Sequence, residues 1–578
     1  MKLKQRLGDL LISKGAITEQ QLTQALELQR SRGSKLGKTL IDMNAVTESQ
    51  LLTILSEQLE IPFLDITRLA IAQTALQLLP EVQARRHRAL VVEADDYSVL
   101  VAMSDPADLA ALDALELQLS PRALRFAVAT EGQLLDAFDS LYRNTDKIAS
   151  IAGELQEEYG DQEEFSLTNL LSDDDGADVT VVRLLNSIFE DALQVRASDI
   201  HIEPDEQVLR IRYRVDGELM ENILPEFRIA NALVLRIKLM AELDISEKRL
   251  PQDGRFQFSV GKHHVDVRVS TMPVQNGEAV VMRLLDQSAG LLDMGRTGMP
   301  EHLQERLRLQ VHRPHGMILV TGPTGSGKTT SLYGLLNELN QPSRKIITVE
   351  DPVEYRIERI NQVQINQKIG LDFAQVLRTT LRQDPDVIMV GEMRDQETVE
   401  IGLRAALTGH MVLSTLHTND AISSTLRLVD MGAAPYLVSS ALRAVLAQRL
   451  VRRICNHCIE PVAIEPAQRA WLRHVADEET VNHQFYRGVG CQRCNQTGAR
   501  GRIGVFELLE LDEPMIDALR ENNPLAFVRA AKACPSFKPL ALEALAYAKQ
   551  GLTTLDDAMR LAEEMSDMDE GLLDRVGE

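Results

Sequence analysis

The stretch MILVTGPTGSGKTT, Met317–Thr330, decides the fold. An apolar run leads into Gly322. Four residues then separate it from Gly327, Lys328 and Thr329, and a helical pattern follows. This is the GxxxxGK[ST] spacing of a phosphate-binding loop, set where such a loop belongs, between a strand and a helix. Its glycines let backbone N–H groups close on phosphate oxygens, and the helix start adds the positive end of its dipole. Gly322, Pro323, Thr324, Gly325, Ser326, Gly327, Lys328, Thr329 and Thr330 are therefore expected around a nucleotide. Lys328 belongs at the β- and γ-phosphates and the Thr329 hydroxyl on Mg²⁺. A chance glycine-rich turn is the alternative, and the strand–helix context argues against it.

Working outward, the apolar runs MILVTG, KIITVED, VIMVGE and HMVLSTL alternate with helical segments from about residue 300 onward. That alternation predicts a parallel sheet with crossover helices. Sites in such sheets lie at the carboxyl ends of the strands. DPDVIMVGE ends there in Glu392, and ITVEDPVEY brings Glu350, Asp351 and Glu354. Hydrolysis needs a positioned water and neutralised charge, so Glu392 can hold the Mg²⁺ shell or orient water. Solvated strand ends or helix caps are the plainer reading of these acids. His410 and His417 flank the HMVLSTL run; His410 reads as a loop histidine, His417 as a γ-phosphate sensor or a second loop histidine. Arg378 and Arg382, four apart, are expected on one helix face. Arg394 follows Glu392 by two positions, and Arg268 and Arg283 sit on earlier strand patterns. Alternation alone would put those last two on a polar outer face.

The 578 residues suggest several domains, and 44% hydrophobic content is ordinary for folded protein. A net charge of −23 gives the chain no electrostatic reason to coat nucleic acid or anionic lipid. No run of apolar residues is long enough to cross a bilayer, and no cleavable leader is read at MKLKQRLGDLLISKG. The expectation is a cytoplasmic protein that reaches a membrane only through partners. Cys455–X–X–Cys458 and Cys491–X–X–Cys494 carry four of the five cysteines. This pattern predicts a closed four-thiolate Zn²⁺ knuckle within 450–500.

The N-terminus repeats itself. Arg6-Leu7-Gly8 returns as Lys35-Leu36-Gly37, Leu22 and Leu26 as Leu51 and Leu55, and Gln29 as Gln58, always 29 positions later (35 − 6). Thr18-x-x-Gln21 and Thr47-x-x-Gln50 are capping boxes that mark the second helix of each copy. A glutamine on each apolar stripe needs a partner, backbone or ligand. Cation, glycine, apolar platform and amide together suit a flat base bearing a phosphate. The chain then divides into an N-terminal region at 1–143, an acidic linker at 144–178, an α+β domain at 179–292 and an α/β domain at 293–578. An acid-faced helix is the alternative for the linker.

GPTGSGKTT, ITVEDPVEY, RQDPDVIMVGEMRD and TGHMVLSTLHT, in this order, resemble the four motif boxes of the ATPases that power type II secretion and type IV pilus assembly. The resemblance spans roughly 180–560. It implies a RecA-like domain closing with the α+β domain on ATP inside a hexameric ring. It also implies Glu392 as the catalytic carboxylate with Glu350 beside it, and Arg268, Arg283, Arg378, Arg382 and Arg394 approaching the nucleotide. An inner-membrane platform protein and a cytoplasmic docking partner come with the family. The doubled RLGxxLxxxGxxxxxxLxxxLxxQ pattern is similar to the cyclic di-GMP-binding domain of MSHA pilus assembly ATPases. The second copy departs from it at Lys35 and Asn44, which replace arginine and glycine. The family therefore implies MSHA-like pilus assembly under cyclic di-GMP control. A type II secretion ATPase driving pseudopilus assembly and export without that control is the alternative, and a plain helical docking domain is the alternative for the repeat.

Overall fold

The computed structural model describes residues 7–32, 36–43, 45–59, 61–69, 71–106, 108–142, 145–159, 176–260, 263–286 and 294–563. Four helices open it: α1 (Leu7–Ser13), α2 (Glu19–Arg32), α3 (Leu36–Asp42) and α4 (Glu48–Leu59). Both capping boxes form. Gln21 N–H donates to Thr18 Oγ1 at 3.2 Å and Thr18 N–H to Gln21 Oε1 at 2.9 Å; the Thr47–Gln50 pair repeats this at 3.2 and 3.0 Å. Helices this short cannot hold themselves together, and they pack across the copies, α1 on α4 and α2 on α3. Leu11, Ile17, Ala25, Leu40, Val46, Leu51 and Ile54 form their shared core.

A three-stranded sheet follows. β1 (Ala89–Ala94) and β2 (Ser98–Met103) make the hairpin that their alternation predicts, and β3 (Ala123–Val128) runs parallel to β2. Helix α5 (Glu131–Leu141) closes this lobe with a full capping box at Thr130.

Residues 145–159 correct the linker expectation. They form helix α6 (Thr145–Tyr159), with Ile148, Ile151, Ala152 and Leu155 buried in the core of the next domain. The acids Glu154, Glu157 and Glu158 lie on the other face, the acid-faced helix weighed as the alternative. The remainder of that stretch, 160–175, falls outside the described residues.

α6 packs on α7 (Gly176–Gln194), and both belong to an antiparallel domain. Its strands are β4 (Asp199–Pro204), β5 (Leu209–Val215), β6 (Glu218–Leu224), β7 (Gln252–Val260), β8 (His263–Val274) and β9 (Gly277–Asp286), ordered β6-β5-β4-β9-β8-β7. The alternating stretches VLRIRYRVDG, FQFSV, HHVDVRVSTM and EAVVMRLL become β5, β7, β8 and β9, and β4 and β6 are additions to them.

The motor sheet has β10 (Gly316–Thr321), β11 (Ile346–Glu350), β12 (Ile360–Gln364), β13 (Val387–Val390), β14 (Met411–Leu416), β15 (Leu442–Ile454) and β18 (Ala499–Glu510). Their order is β12-β11-β13-β14-β10-β15-β18, parallel except for β18. Along β10, Met317 and Leu319 enter one core while Ile318 and Val320 enter the other. This is the period of two expected of a strand covered by helices on both faces. α8 (Lys328–Leu339) follows the loop after β10, and α9 (Phe373–Thr380) precedes β13.

The insert between the cysteine pairs holds β16 (Ile459–Val462), a helix at Pro466–Val475 and β17 (Phe485–Gly488), with β16 antiparallel to β17. It is not a freestanding knuckle. Leu472, Val481 and Phe485 are buried in the same core as Val445 and Leu509 of the motor sheet.

Candidate nucleotide and metal sites

The loop after β10 turns on glycines. Gly322, Gly325 and Gly327 have φ of 147, 79 and 88°, where other L-residues are strained. A side chain at Gly322 would also lie 2.4 Å from the Gln448 carbonyl oxygen. Lys328 opens α8 and is buried, with Nζ donating to Gly322 O at 2.7 Å and Pro323 O at 2.9 Å. Burial holds its pKa down at about 8; the nearby Arg449 adds to the shift and Glu392 opposes it.

The sheet order puts the end of β13 between β11 and β14, one strand from β10. Glu392 stands there, nearly buried. Its Oε1 pairs with Arg394 Nη2 at 2.5 Å, and its Oε2 lies 3.4 Å from His417 Nε2. Glu392, Arg394 and His417 thus converge beside the phosphate loop. Glu350 stands differently. It is buried, and its carboxylate accepts from Tyr333 Oη at 2.5 Å, Thr348 Oγ1 at 2.5 Å and Gln362 Nε2 at 3.2 Å. Those bonds tie it to α8 and the sheet rather than leaving it open to water. His410 is a loop histidine, with Nδ1 3.0 Å from Ala405 O.

The arginines divide. Arg268 on β8 crosses to the motor and pairs with Glu354 through both guanidinium nitrogens. Arg283, its cross-strand neighbour on β9, pairs with Asp199 of its own domain at 2.9 Å. Arg378, exposed on α9, pairs with Glu397. Arg382 lies past the end of α9, so the two do not share a helix; its Nη2 is 3.5 Å from Thr379 Oγ1.

Cys455, Cys458, Cys491 and Cys494 are buried together. Four sulfurs each about 2.3 Å from one tetrahedral ion stand about 3.8 Å apart. Here Cys455–Cys491, Cys458–Cys494 and Cys491–Cys494 measure 3.7, 3.8 and 3.7 Å. The N–H groups of Cys491 and Gly498 point at Cys494 Sγ, at 3.2 and 3.3 Å, as donors to a thiolate do. The donor set fits a closed divalent site.

The repeat is described in part. Gly8 and Gly37 are explained by packing: a Cβ on either would lie 2.8 Å from a methyl of Leu22 or Leu51. Leu51 is buried, Leu22 and Gln29 are half-buried, and Leu26 is exposed. Leu7 and Leu36 are half-buried at the starts of α1 and α3. Arg6, Lys35 and Asn44 lie outside the described residues, as do the side chains of Leu55 and Gln58 on α4.

One polar pair on β15 went unread in the sequence. In LAQRLV, Gln448 and Arg449 interrupt an apolar strand and both are buried beside the phosphate loop. Two adjacent polar residues in such a run were the available signal.

A parallel RecA-like sheet, a glycine-turned phosphate loop and a strand-end glutamate define a P-loop ATPase. The chain belongs to the type II/IV secretion system protein family, whose model matches residues 174–560. A MshEN domain model matches 59–148, starting where the second copy of the repeat ends. The type IV pilus assembly ATPase PilB of Myxococcus xanthus (strain DK1622) is 40% identical over 560 residues, 96% of this chain and 98% of that protein. The type II secretion system ATPase E of Vibrio cholerae serotype O1 is 48% identical over 398 residues, 68% of this chain and 78% of that protein. A solved structure of MshE with cdg is 47% identical across 24% of this chain and 99% of its own, with a TM-score of 0.23. No helix among the described residues is long and apolar enough to cross a membrane.

Proposed function

We propose that this ATPase is the hexameric motor of an MSHA-like type IV pilus, gated by cyclic di-GMP at its N-terminal repeat. The doubled motif carries the reading. Both copies keep the capping box and the glycine–leucine contact at the same spacing. Arg6, Leu7, Gly8, Leu22, Leu26 and Gln29 form the first half of the ligand site, and Lys35, Leu36, Gly37, Leu51, Leu55 and Gln58 the second. The adjoining MshEN match supports it.

In the motor, the loop amides and Lys328 hold ATP, and Thr329 holds Mg²⁺. Glu392 orients the attacking water, with His417 and Arg394 beside it. Glu350, bonded on both oxygens, supports the strand end. Arg268 and Arg283 close from the α+β domain, and Arg378 and Arg382 from the motor's outer face. The four cysteines hold a structural Zn²⁺. The motor works in the cytoplasm, held to the inner membrane by a platform protein and a docking partner.

Calorimetric titration of the full chain with cyclic di-GMP tests the gate. Heat of binding that disappears in Arg6→Ala is the expected result. An absence of heat with intact ATP turnover favours the second reading, a type II secretion ATPase without this control, which the Vibrio cholerae relative supports.

A further inference from the structure

β15 runs parallel to β10, with Ala447 beside Thr321 at the point where the phosphate loop begins. The next residue, Gln448, is buried at 2% exposure and grips the loop from below. Its Nε2 donates to Ser326 O at 2.6 Å, and its Oε1 accepts from Ser331 Oγ, in the first turn of α8, at 2.7 Å. The amide has only one workable orientation. The Ser326 carbonyl has no hydrogen to give, so the NH₂ end must face it.

A trans peptide carries its C=O and N–H on opposite sides. Holding the Ser326 carbonyl against β15 therefore turns the Gly327 N–H the other way, off the strand. Glycine is the residue whose flanking peptides rotate most freely, so this one needs an external hold. The backbone of Gln448 also abuts the far end of the loop at Gly322. Arg449 Nη2, 2.7 Å from Asn419 Oδ1, pins the same stretch of β15 to the segment after β14.

We propose that Gln448 is a positioning residue of the nucleotide site: it fixes the Ser326–Gly327 peptide so that the Gly327 amide is set for a phosphate oxygen before nucleotide arrives. The amide touches no reacting atom. Its effect is on binding that ground state and transition state share, which appears in KM more than in kcat.

The inference rests on the ATPase reading, and the experiment separates the two. Full-length Gln448→Met keeps the side-chain length and loses both bonds. ATP turnover and fluorescent-ADP binding are measured beside the parent protein. The expected result is a KM and an ADP Kd raised about tenfold, with kcat falling by less than about twofold. Gln448→Glu, which has no donor for Ser326, should not rescue. A purely structural role would instead lower the melting temperature and the active fraction, so kcat would fall while KM stood. Folded Gln448→Met with KM and ADP Kd within about twofold of the parent overturns the proposal. If Gln448→Met does not fold, Ser331→Ala decides. That variant frees one end of the amide; a rise of at least about twofold in KM supports the assignment and an unchanged KM overturns it. A parent protein that turns over no ATP would refute the ATPase reading, and the ADP-binding arm would still judge Gln448.

Discussion

The phosphate loop and the N-terminal repeat both depend on glycine, for opposite reasons. In the loop, Gly322, Gly325 and Gly327 take left-handed conformations that bare the backbone for a ligand. In the repeat, Gly8 and Gly37 sit in ordinary helix and make room for Leu22 and Leu51. One set of glycines serves the backbone, the other serves packing between helices. The same letter in a motif thus marks a binding surface in the motor and a packing contact in the repeat, where a ligand must be met by the side chains around it.

The largest expected effect lies in the motor. Glu392→Gln keeps the shape and hydrogen-bonding reach but loses the charge shared with Arg394 and His417. It should lower kcat about a hundredfold or more while ADP binding survives, which steady-state kinetics and fluorescent-ADP titration would check. Unchanged turnover would remove Glu392 from its role.

Metal removal should come next. Purified chain is expected to carry one zinc per protomer by atomic absorption. Cys458→Ser should lose it and melt early around β16 and β17, because a closed thiolate site contributes on the order of 10 kcal/mol of local folding energy. Since the insert shares the motor core, loosening there should also reduce turnover.

The repeat offers a sharper contrast. Gly37→Ala drives a methyl against one methyl of buried Leu51, while Gly8→Ala meets both methyls of Leu22, which is half-buried and can give way. Overpacking costs about 1–3 kcal/mol, so Gly37→Ala should sit at the upper end and Gly8→Ala at the lower, read by thermal unfolding. Equal costs would mean that the two copies are packed alike.

Lys328 gives a pH signature. With its pKa held at about 8, the ammonium is progressively lost above that pH in the ligand-free chain. A polyanion favours the charged form, so nucleotide binding should weaken as pH rises through 8 and should take up protons in that range. Calorimetry in buffers of different ionisation enthalpy measures the uptake. Stability runs the other way. A lysine with a depressed folded pKa costs the folded state in full below about pH 8, and the cost fades as pH climbs toward the ordinary lysine value.

The smallest effect concerns where the N-terminal lobe meets the tetracysteine loop. Arg493, between the last two cysteines, pairs with Asp136 on α5 of the N-terminal lobe. A double-mutant cycle with Asp136→Ala and Arg493→Ala should give a small but measurable coupling, about 0.2–1 kcal/mol, as expected for a part-exposed pair. Zero coupling would separate the lobe from the tetracysteine loop in solution.

The sequence by itself determined the phosphate loop, the strand-end Glu392, the four cysteines, both capping boxes and the parallel order of secondary structure. Each of these is a local rule: a fixed spacing, a cap three residues from its partner, or a period of two or 3.6. What needed the tertiary structure was everything set by strands distant in the chain. Glu350 and Glu392 look alike as acids after apolar runs, yet one is bound on both oxygens by Tyr333, Thr348 and Gln362 while the other faces Arg394 and His417. Helix α6 was hidden because its four acids match in number the four apolar residues that it buries. Gln448 stands more than a hundred residues from the loop it holds, and only the pairing of β15 with β10 brings them together. Hydrogen bonds across a sheet depend on strand neighbours, and no spacing within one strand encodes which strand lies beside it.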